Sequence, residues 1–215
     1  MNTLKSIENH SQVPPDYYFS SISTNLGQRF WHQTRFRHLS SMITPDPTAT
    51  VLDIGSADGA FSEVIYQRLH PKSYTGIDVL QSSVDYAQDR FAHRKNMVFT
   101  TADAHHLPYK KQSFTAVFCL EVLEHIFNPK LVLKEIYRVL CPGGYLVILI
   151  PLETPLFRLI WYLWTLGKGR IWKHAHVNQY NRSSLKSLLQ KSGFTISRED
   201  CFMAGMLYLV KAKKI

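Results

Sequence analysis

The sequence predicts an α/β fold, a mostly parallel sheet covered by helices on both faces. Three observations carry this. Short apolar runs rich in β-branched residues alternate with stretches whose apolar residues recur near the 3.6-residue period. The first clear run, Val51-Leu52-Asp53-Ile54, breaks into the glycine turn Gly55-Ser56-Ala57-Asp58-Gly59 and opens a helix. Three successive runs carry an acid at or near their carboxyl ends: Asp53, Asp78 and Asp103. With 215 residues and 45% hydrophobic content, the chain is large enough for one domain with a real core.

Residues 1–45 read as a polar tail followed by a helix over 28–43 that lids a bound ligand. Arg35 or Arg37 of that helix is placed either to pair with a ligand carboxylate or to sit in solvent. The first fifteen residues hold no apolar stretch of the kind a secretory signal needs, and no run reaches the length of a membrane span. Cys119, Cys141 and Cys201 are far apart and form no C-x-x-C pair, so reduced thiols and a cytoplasmic location are expected.

The main domain is expected over 46–215. Small residues in the glycine turn let a ligand approach the backbone, and the following helix aims its N–H groups at the ligand's negative end. The run 74–79 places Asp78, followed by Val79, about 20 residues beyond the turn, where α/β nucleotide folds hold a ribose. The run 98–104 closes with Asp103 and Ala104. Three acids at three strand ends point to a positively charged, ribosylated ligand. Capping acids are the structural alternative for Asp53 and Asp103.

With these motifs in order over roughly residues 49–200, the chain resembles the class I S-adenosylmethionine-dependent methyltransferases. The resemblance implies S-adenosylmethionine as cofactor and a Rossmann-like sheet of seven strands, mostly parallel, with an antiparallel last strand. It places the cofactor against Asp53, Gly55, Ser56, Ala57, Gly59, Asp78, Val79, Asp103, Ala104, Leu120 and Arg35. Asp78 would hold the ribose hydroxyls, Asp103 the adenine amino group, and Ala104 would offer its N–H to the ring. The family's D-x-G-x-G-x-G loop is matched by Asp53, Gly55 and Gly59. Ala57 departs from it, adding a methyl near the cofactor's methionine part and disfavouring positive φ.

The run 114–120 leads into Glu121-Val122-Leu123-Glu124-His125, and one helical turn there would bring Glu121 near both Glu124 and His125. Two carboxylates and an imidazole suit a divalent metal, or a base with an orienting acid. The stretch from Cys119 to His125 is similar to the methyltransferases that O-methylate polyprenyl catechols in ubiquinone biosynthesis. That likeness implies a metal, with magnesium the implied ion, held by Glu121, Glu124 and His125. The alternative is that these residues close the cofactor pocket and start the next helix.

Asn128-Pro129 opens a helix with apolar residues at Leu131, Leu133, Ile136, Val139 and Leu140, and Pro142-Gly143-Gly144 leads into a strand over 145–150. An apolar insertion or cap is expected over 152–176. Its stretch 156–173 combines Trp, Tyr and Leu with Arg158, Lys168, Arg170 and Lys173, which suits a helix at a membrane interface, a lid over an apolar substrate, or core packing. His174 and His176 follow as candidate bases. Asn181 caps a helix through 190, and 194–198 and 207–213 read as the last strands.

The formal net charge of +9 is spread along the chain, which leaves an anionic membrane surface or nucleic acid open as a partner. The leading expectation is methyl transfer to a small, apolar, membrane-resident acceptor such as a prenylated phenol, catalysed by Glu121, Glu124, His125 and His176 at the inner membrane face. Methylation of RNA or protein is an alternative. A non-catalytic cofactor-binding subunit of a membrane complex is another, to which Ala57 and Thr115 lean.

Overall fold

The computed structural model describes residues 13–167, 169 and 176–215. Helices α1 (Tyr17–Thr24) and α2 (Leu26–Met42) precede an alternation of β1 (Thr50–Ile54), α3 (Ala60–Leu69), β2 (Ser73–Asp78), α4 (Gln81–Arg90) and β3 (Met97–Thr101). Strand β4 (Phe114–Leu120) ends in a 3-10 turn at Leu123–His125. Then come α5 (Pro129–Val139), β5 (Leu140–Pro151), α6 (Pro155–Thr165), α7 (Arg182–Lys191), β6 (Phe194–Phe202) and β7 (Leu207–Lys214). The sheet runs in the order β3-β2-β1-β4-β5-β7-β6, and β7 is antiparallel to both its neighbours. This is the expected seven-stranded arrangement.

Strand residues alternate between two cores because successive side chains point to opposite faces. Leu52, Val117, Cys119, Leu146 and Ile148 pack beneath α5 and α7, against Val132, Leu133, Ile136, Leu185 and Leu189. Val51, Ala116, Phe118, Val147 and Leu149 pack on the other face against Leu39 and Met42 of α2, Ile65 and Leu69 of α3, and Val84 and Ala87 of α4. Helices cover both faces, so the central strands read as continuous apolar runs rather than as alternating ones. Strand order reverses between β1 and β4, and at such a switch point the crevice beyond the strands' carboxyl ends receives ligands.

Two strand boundaries differ from the sequence expectation. The third run stops at Thr101, leaving Ala102–Ala104 beyond the sheet. The sixth strand continues past Arg198 to Phe202 because a register shift between Ile196 and Arg198 breaks the two-residue alternation. That irregularity lies at the sheet's edge, where charged residues are tolerated.

Asp53 does not face the crevice. It points with Val51 to the α3 side, only 2% exposed, where its carboxylate accepts hydrogen bonds from Ser62 Oγ and Tyr74 OH, both at 2.6 Å. Burial pushes its pKa up to about 6, against the lowering effect of the two hydroxyls. A carboxyl raised in the folded state stabilises most below its unfolded pKa, and that contribution is lost as pH rises through about 6. Asp53→Asn, neutral at every pH, is therefore expected to gain on the wild type by up to about 3 kcal/mol between pH 4 and pH 7.5. Urea denaturation at the two pH values measures this, and an equal gap at both contradicts it.

Candidate active site

A cavity of about 140 Å³ opens at the carboxyl ends of β1 to β4. Of the residues expected to meet a cofactor, Gly55, Ala57, Asp78, Val79, Asp103 and Ala104 line it. Asp53, Ser56, Gly59, Leu120 and Arg35 do not, and each has a structural reason to be elsewhere. Ser56 is 5% exposed beside Gly76. Gly59, at φ 78°, starts α3, and a Cβ there would strike the Phe91 ring. Leu120 is packed in the core on the α3 side.

The turn is held by hydrogen bonds from Gly55 and Ser56 N–H to Ile77 O at 2.8 and 3.0 Å. Ala57 sits in the left-handed region at φ 46°, normally a glycine's place, and its N–H is captured by Asp78 Oδ2 at 3.0 Å. Asp78 Oδ1 accepts from Leu80 N–H, also at 3.0 Å. One carboxylate thus fixes both the glycine turn and the turn into α4 while bordering the cavity. Asp103 Oδ1 accepts from the His105 N–H at 2.9 Å and lies 2.7 Å from His105 Nδ1, so the capping alternative for this acid is realised alongside its place in the cavity wall.

The roof of this cavity is not the helix expected over 28–43 but the segment before it. Pro14, Pro15 and Tyr18 face the cavity, and Phe19 N–H donates to Asp58 Oδ2 at 2.7 Å. Arg90 donates to the Asp58 carbonyl at 3.0 Å and stands 4.5 Å from the centre of the Phe19 ring. Burial raises the Tyr18 phenol well above its usual range, so it stays neutral. Tyr18, Asp58 and His105 escaped the sequence reading. The acid beside Gly59 was the available signal for Asp58.

A second cavity of about 220 Å³ lies beside the first. Trp31, His32 and Arg35 of α2 form one wall, and Phe157, Ile160, Trp161 and Trp164 of α6 another. Tyr18, Glu121 and His125 border both cavities. Arg35, 2% exposed, forms a salt bridge with Glu121 and has Nη2 2.8 Å from His32 Nδ1. Burial, with the guanidinium beside it, pushes His32 down to about 2, so it is neutral. Arg35 therefore meets Glu121 rather than a cofactor carboxylate. Glu121 itself sits at φ 56°, a strained conformation at the mouth of the strand.

The expected helical turn is a 3-10 turn, and Glu121, though near enough for its charge to raise the Glu124 pKa, does not join Glu124 and His125 within reach of one ion. Glu124 is 2% exposed, its pKa is driven up by burial, and its Oε2 has no hydrogen-bond partner. Among the described residues, the group whose donor atoms come within 4.8 Å of one another is Glu124, His125 and His176. His176 is brought there because Val177 and Asn178 N–H both donate to Glu124 O, at 2.8 and 2.9 Å. Its Nδ1 lies 3.2 Å from Glu153 Oε1, and its ring stacks on Trp161 at 4.4 Å. With Glu121 committed to Arg35, one carboxylate and two imidazoles remain, a set that does not fit magnesium, which prefers oxygen ligands. His174 lies outside the described residues.

The family model described as "Methyltransferase domain" matches residues 52–148, the span from β1 to β5 that builds the first cavity. These residues, somewhat under half of the chain, match a methyltransferase domain, and the fold around them is that of S-adenosylmethionine-dependent methyltransferases. The chain is 28% identical over 147 residues to a malonyl-[acyl-carrier protein] O-methyltransferase of Marinomonas, a match covering 63% of this chain and 54% of the relative. It is 33% identical over 97 residues to a phthiotriol/phenolphthiotriol dimycocerosates methyltransferase of Mycobacterium ulcerans, covering 45% of this chain and 35% of that one. The chain thus spans about half the length of the first relative and about a third of the second. The methyltransferase fold is shared with a solved methyltransferase from Aquifex aeolicus, at TM-score 0.63 and 17% identity over 83% of this chain and 88% of that one. One from Mesorhizobium loti gives 0.68 and 16% over 83% and 96%.

The cofactor that this methyltransferase family uses fits the first cavity, since Asp78 stands at the end of β2 and Asp103 and Ala104 follow β3. Asp78→Asn keeps the shape but removes a charged acceptor. We expect S-adenosylmethionine affinity to fall ~10- to 100-fold by calorimetric titration, the loss of one or two charge-assisted hydrogen bonds. Unchanged affinity would remove Asp78 from the cofactor site.

Proposed function

We propose that the protein transfers the methyl group of S-adenosylmethionine to an oxygen of a small, apolar acceptor drawn from a membrane surface, with a prenylated phenol as the finer reading. The observation that carries this is the junction of two unlike cavities. One lies at the strand ends and is bordered by carboxylates. The other is walled by Trp31, Phe157, Trp161 and Trp164, and both are bordered by Tyr18, Glu121 and His125. Oxygen as acceptor atom is supported by the relative named an O-methyltransferase, and a lipid-like acceptor by the relative named for phthiotriol dimycocerosates.

When bound, S-adenosylmethionine supplies an electrophilic methyl carbon on a positive sulfur. The chain's part is to hold the acceptor oxygen in line about 3 Å away, exclude water and remove a proton. The aromatic walls take the acceptor's apolar body. His125, at the junction, is placed to accept the hydroxyl proton, and Glu121, fixed by Arg35, orients the reacting oxygen. His176 and Glu124 close the far side. A cavity enclosed in this way suits a small molecule better than a strand of RNA or a protein side chain.

The membrane reading rests on α6. Thr154 caps it through a 3.2 Å bond from Phe157 N–H, Phe157 packs inward, and Leu156, Leu159, Ile160, Tyr162, Leu163 and Leu166 remain exposed. Leu26 and Phe30, at the start of α2, are 79% and 64% exposed beside Gly27 and Trp31 of the same cavity. An apolar rim on both sides of a cavity, with exposed Arg158 among it, suits partial insertion into an anionic membrane interface. Among the described residues no helix is long and apolar enough to cross a membrane.

Radiolabelled methyl transfer to a short-chain prenylated catechol tests the acceptor. Label in the catechol is expected, with His125→Ala ~100-fold slower at similar cofactor affinity; cofactor binding without transfer would sink the acceptor reading. For the membrane surface, Leu159→Glu combined with Leu163→Glu should abolish co-sedimentation with anionic vesicles and leave cofactor affinity intact. Undiminished co-sedimentation would show that α6 is not the contact.

A further inference from the structure

The cluster at the far side of the junction has the parts of a metal centre, though not the one the motif foreshadows. Glu124, His125 and His176 present donor atoms within 4.8 Å of one another, so side-chain shifts of about an ångström bring them around one ion. Two further observations single it out from a chance grouping. Glu124 is 2% exposed and its Oε2 is an orphaned buried oxygen, a costly arrangement that a cation would relieve. His176 Nδ1 is engaged by Glu153 Oε1 at 3.2 Å, which leaves Nε2 for a ligand bond, the carboxylate–histidine support that metal-bound imidazoles commonly have.

We propose that Glu124, His125 and His176 bind one divalent transition metal, of the zinc, iron(II) or cobalt(II) type, with Glu153 as a positioning residue behind His176. Two imidazoles and a carboxylate are the donor set that such ions favour, and they leave coordination positions open. The open side is the second cavity, which all three residues line. A hydroxyl or carbonyl oxygen of an acceptor seated there would reach the ion. In the metal-bound protein His125 serves as a ligand, and the proton-accepting role proposed for it above belongs to the metal-free protein. Chain geometry prepares the site, since the hydrogen bonds from Val177 and Asn178 to Glu124 O tie the histidine-bearing segment to the 3-10 turn. The proposal stands on this cluster alone, and metal binding and methyl transfer can fail independently.

The test is titration of the metal-stripped full chain with cobalt(II) chloride, read by visible absorption and calorimetry without cofactor or acceptor. One equivalent is expected to bind and to give the intense bands of a low-coordinate cobalt site. His176→Ala should weaken binding at least ~100-fold, as expected on losing a ligand, and Glu153→Gln ~10- to 100-fold through the lost support. Glu121→Gln should change it by less than ~3-fold, and magnesium chloride should not compete. His176→Asn, with folding checked by circular dichroism, replaces His176→Ala if the latter does not fold. Absence of one-to-one binding overturns the proposal. So does binding that is indifferent to His176 and Glu153, or binding displaced by magnesium and lost in Glu121→Gln.

Discussion

The buried ion pair between Arg35 and Glu121 joins the parts of this molecule that have to cooperate. Arg35 lies in the middle of α2 with 2% of its surface exposed, and a guanidinium at that depth persists only with an anionic partner. The partner stands at the end of β4, 86 residues away, so the pair pins α2 to the strand ends. Several local features meet at it. Glu121 takes a left-handed conformation there, His32, kept neutral by burial and by the guanidinium beside it, lies next to the pair, and Arg35 and Glu121 both line the second cavity. Removing Glu121 would cost up to about 3–5 kcal/mol, because Arg35 would be left charged in a dry setting.

The same pair decides the chemistry of the motif at the end of β4. Sequence spacing presents two glutamates and a histidine as equals, but only Glu124 and His125 are left to face His176 once Glu121 is taken. Packing has thus exchanged an oxygen ligand near in sequence for a nitrogen ligand 51 residues beyond His125. The exchange moves the site's preference from hard cations toward borderline ones.

What the sequence made legible is what repeats locally. Strands buried on both faces, the glycine turn and the caps at Asn128 and Asn181 leave short-range signals, and all are found, while the antiparallel final strand was implied by the family resemblance. The places of Asp78, Asp103 and Ala104 in the cavity wall were readable because they lie at or just beyond the carboxyl ends of parallel strands. Asp53 was misread although its alternation with Leu52 and Ile54 already put it on the opposite face, toward Tyr74 and Ser62. The Arg35 pair, the Asp58 anchor of the roof and the arrival of His176 join residues 23 or more positions apart through bonds with no local periodicity, and nothing in the spacing foretells them. The bulge in β6 hid half a strand for a related reason: one extra residue erases the pattern by which a strand is recognised.

The division of labour between the two cavities carries an evolutionary consequence. Tyr18, Glu121 and His125 belong to both, at the junction where the proposed function has cofactor and acceptor meet. Trp31, Trp161 and Trp164 belong to the second alone, on helices outside the β1–β5 core that binds the first ligand. On the proposed function, acceptor preference is free to diverge by exchanging aromatic side chains on α2 and α6, with the cofactor cradle carried along unaltered. Descendants of this scaffold would differ most in their tryptophans and least in their glycine turn.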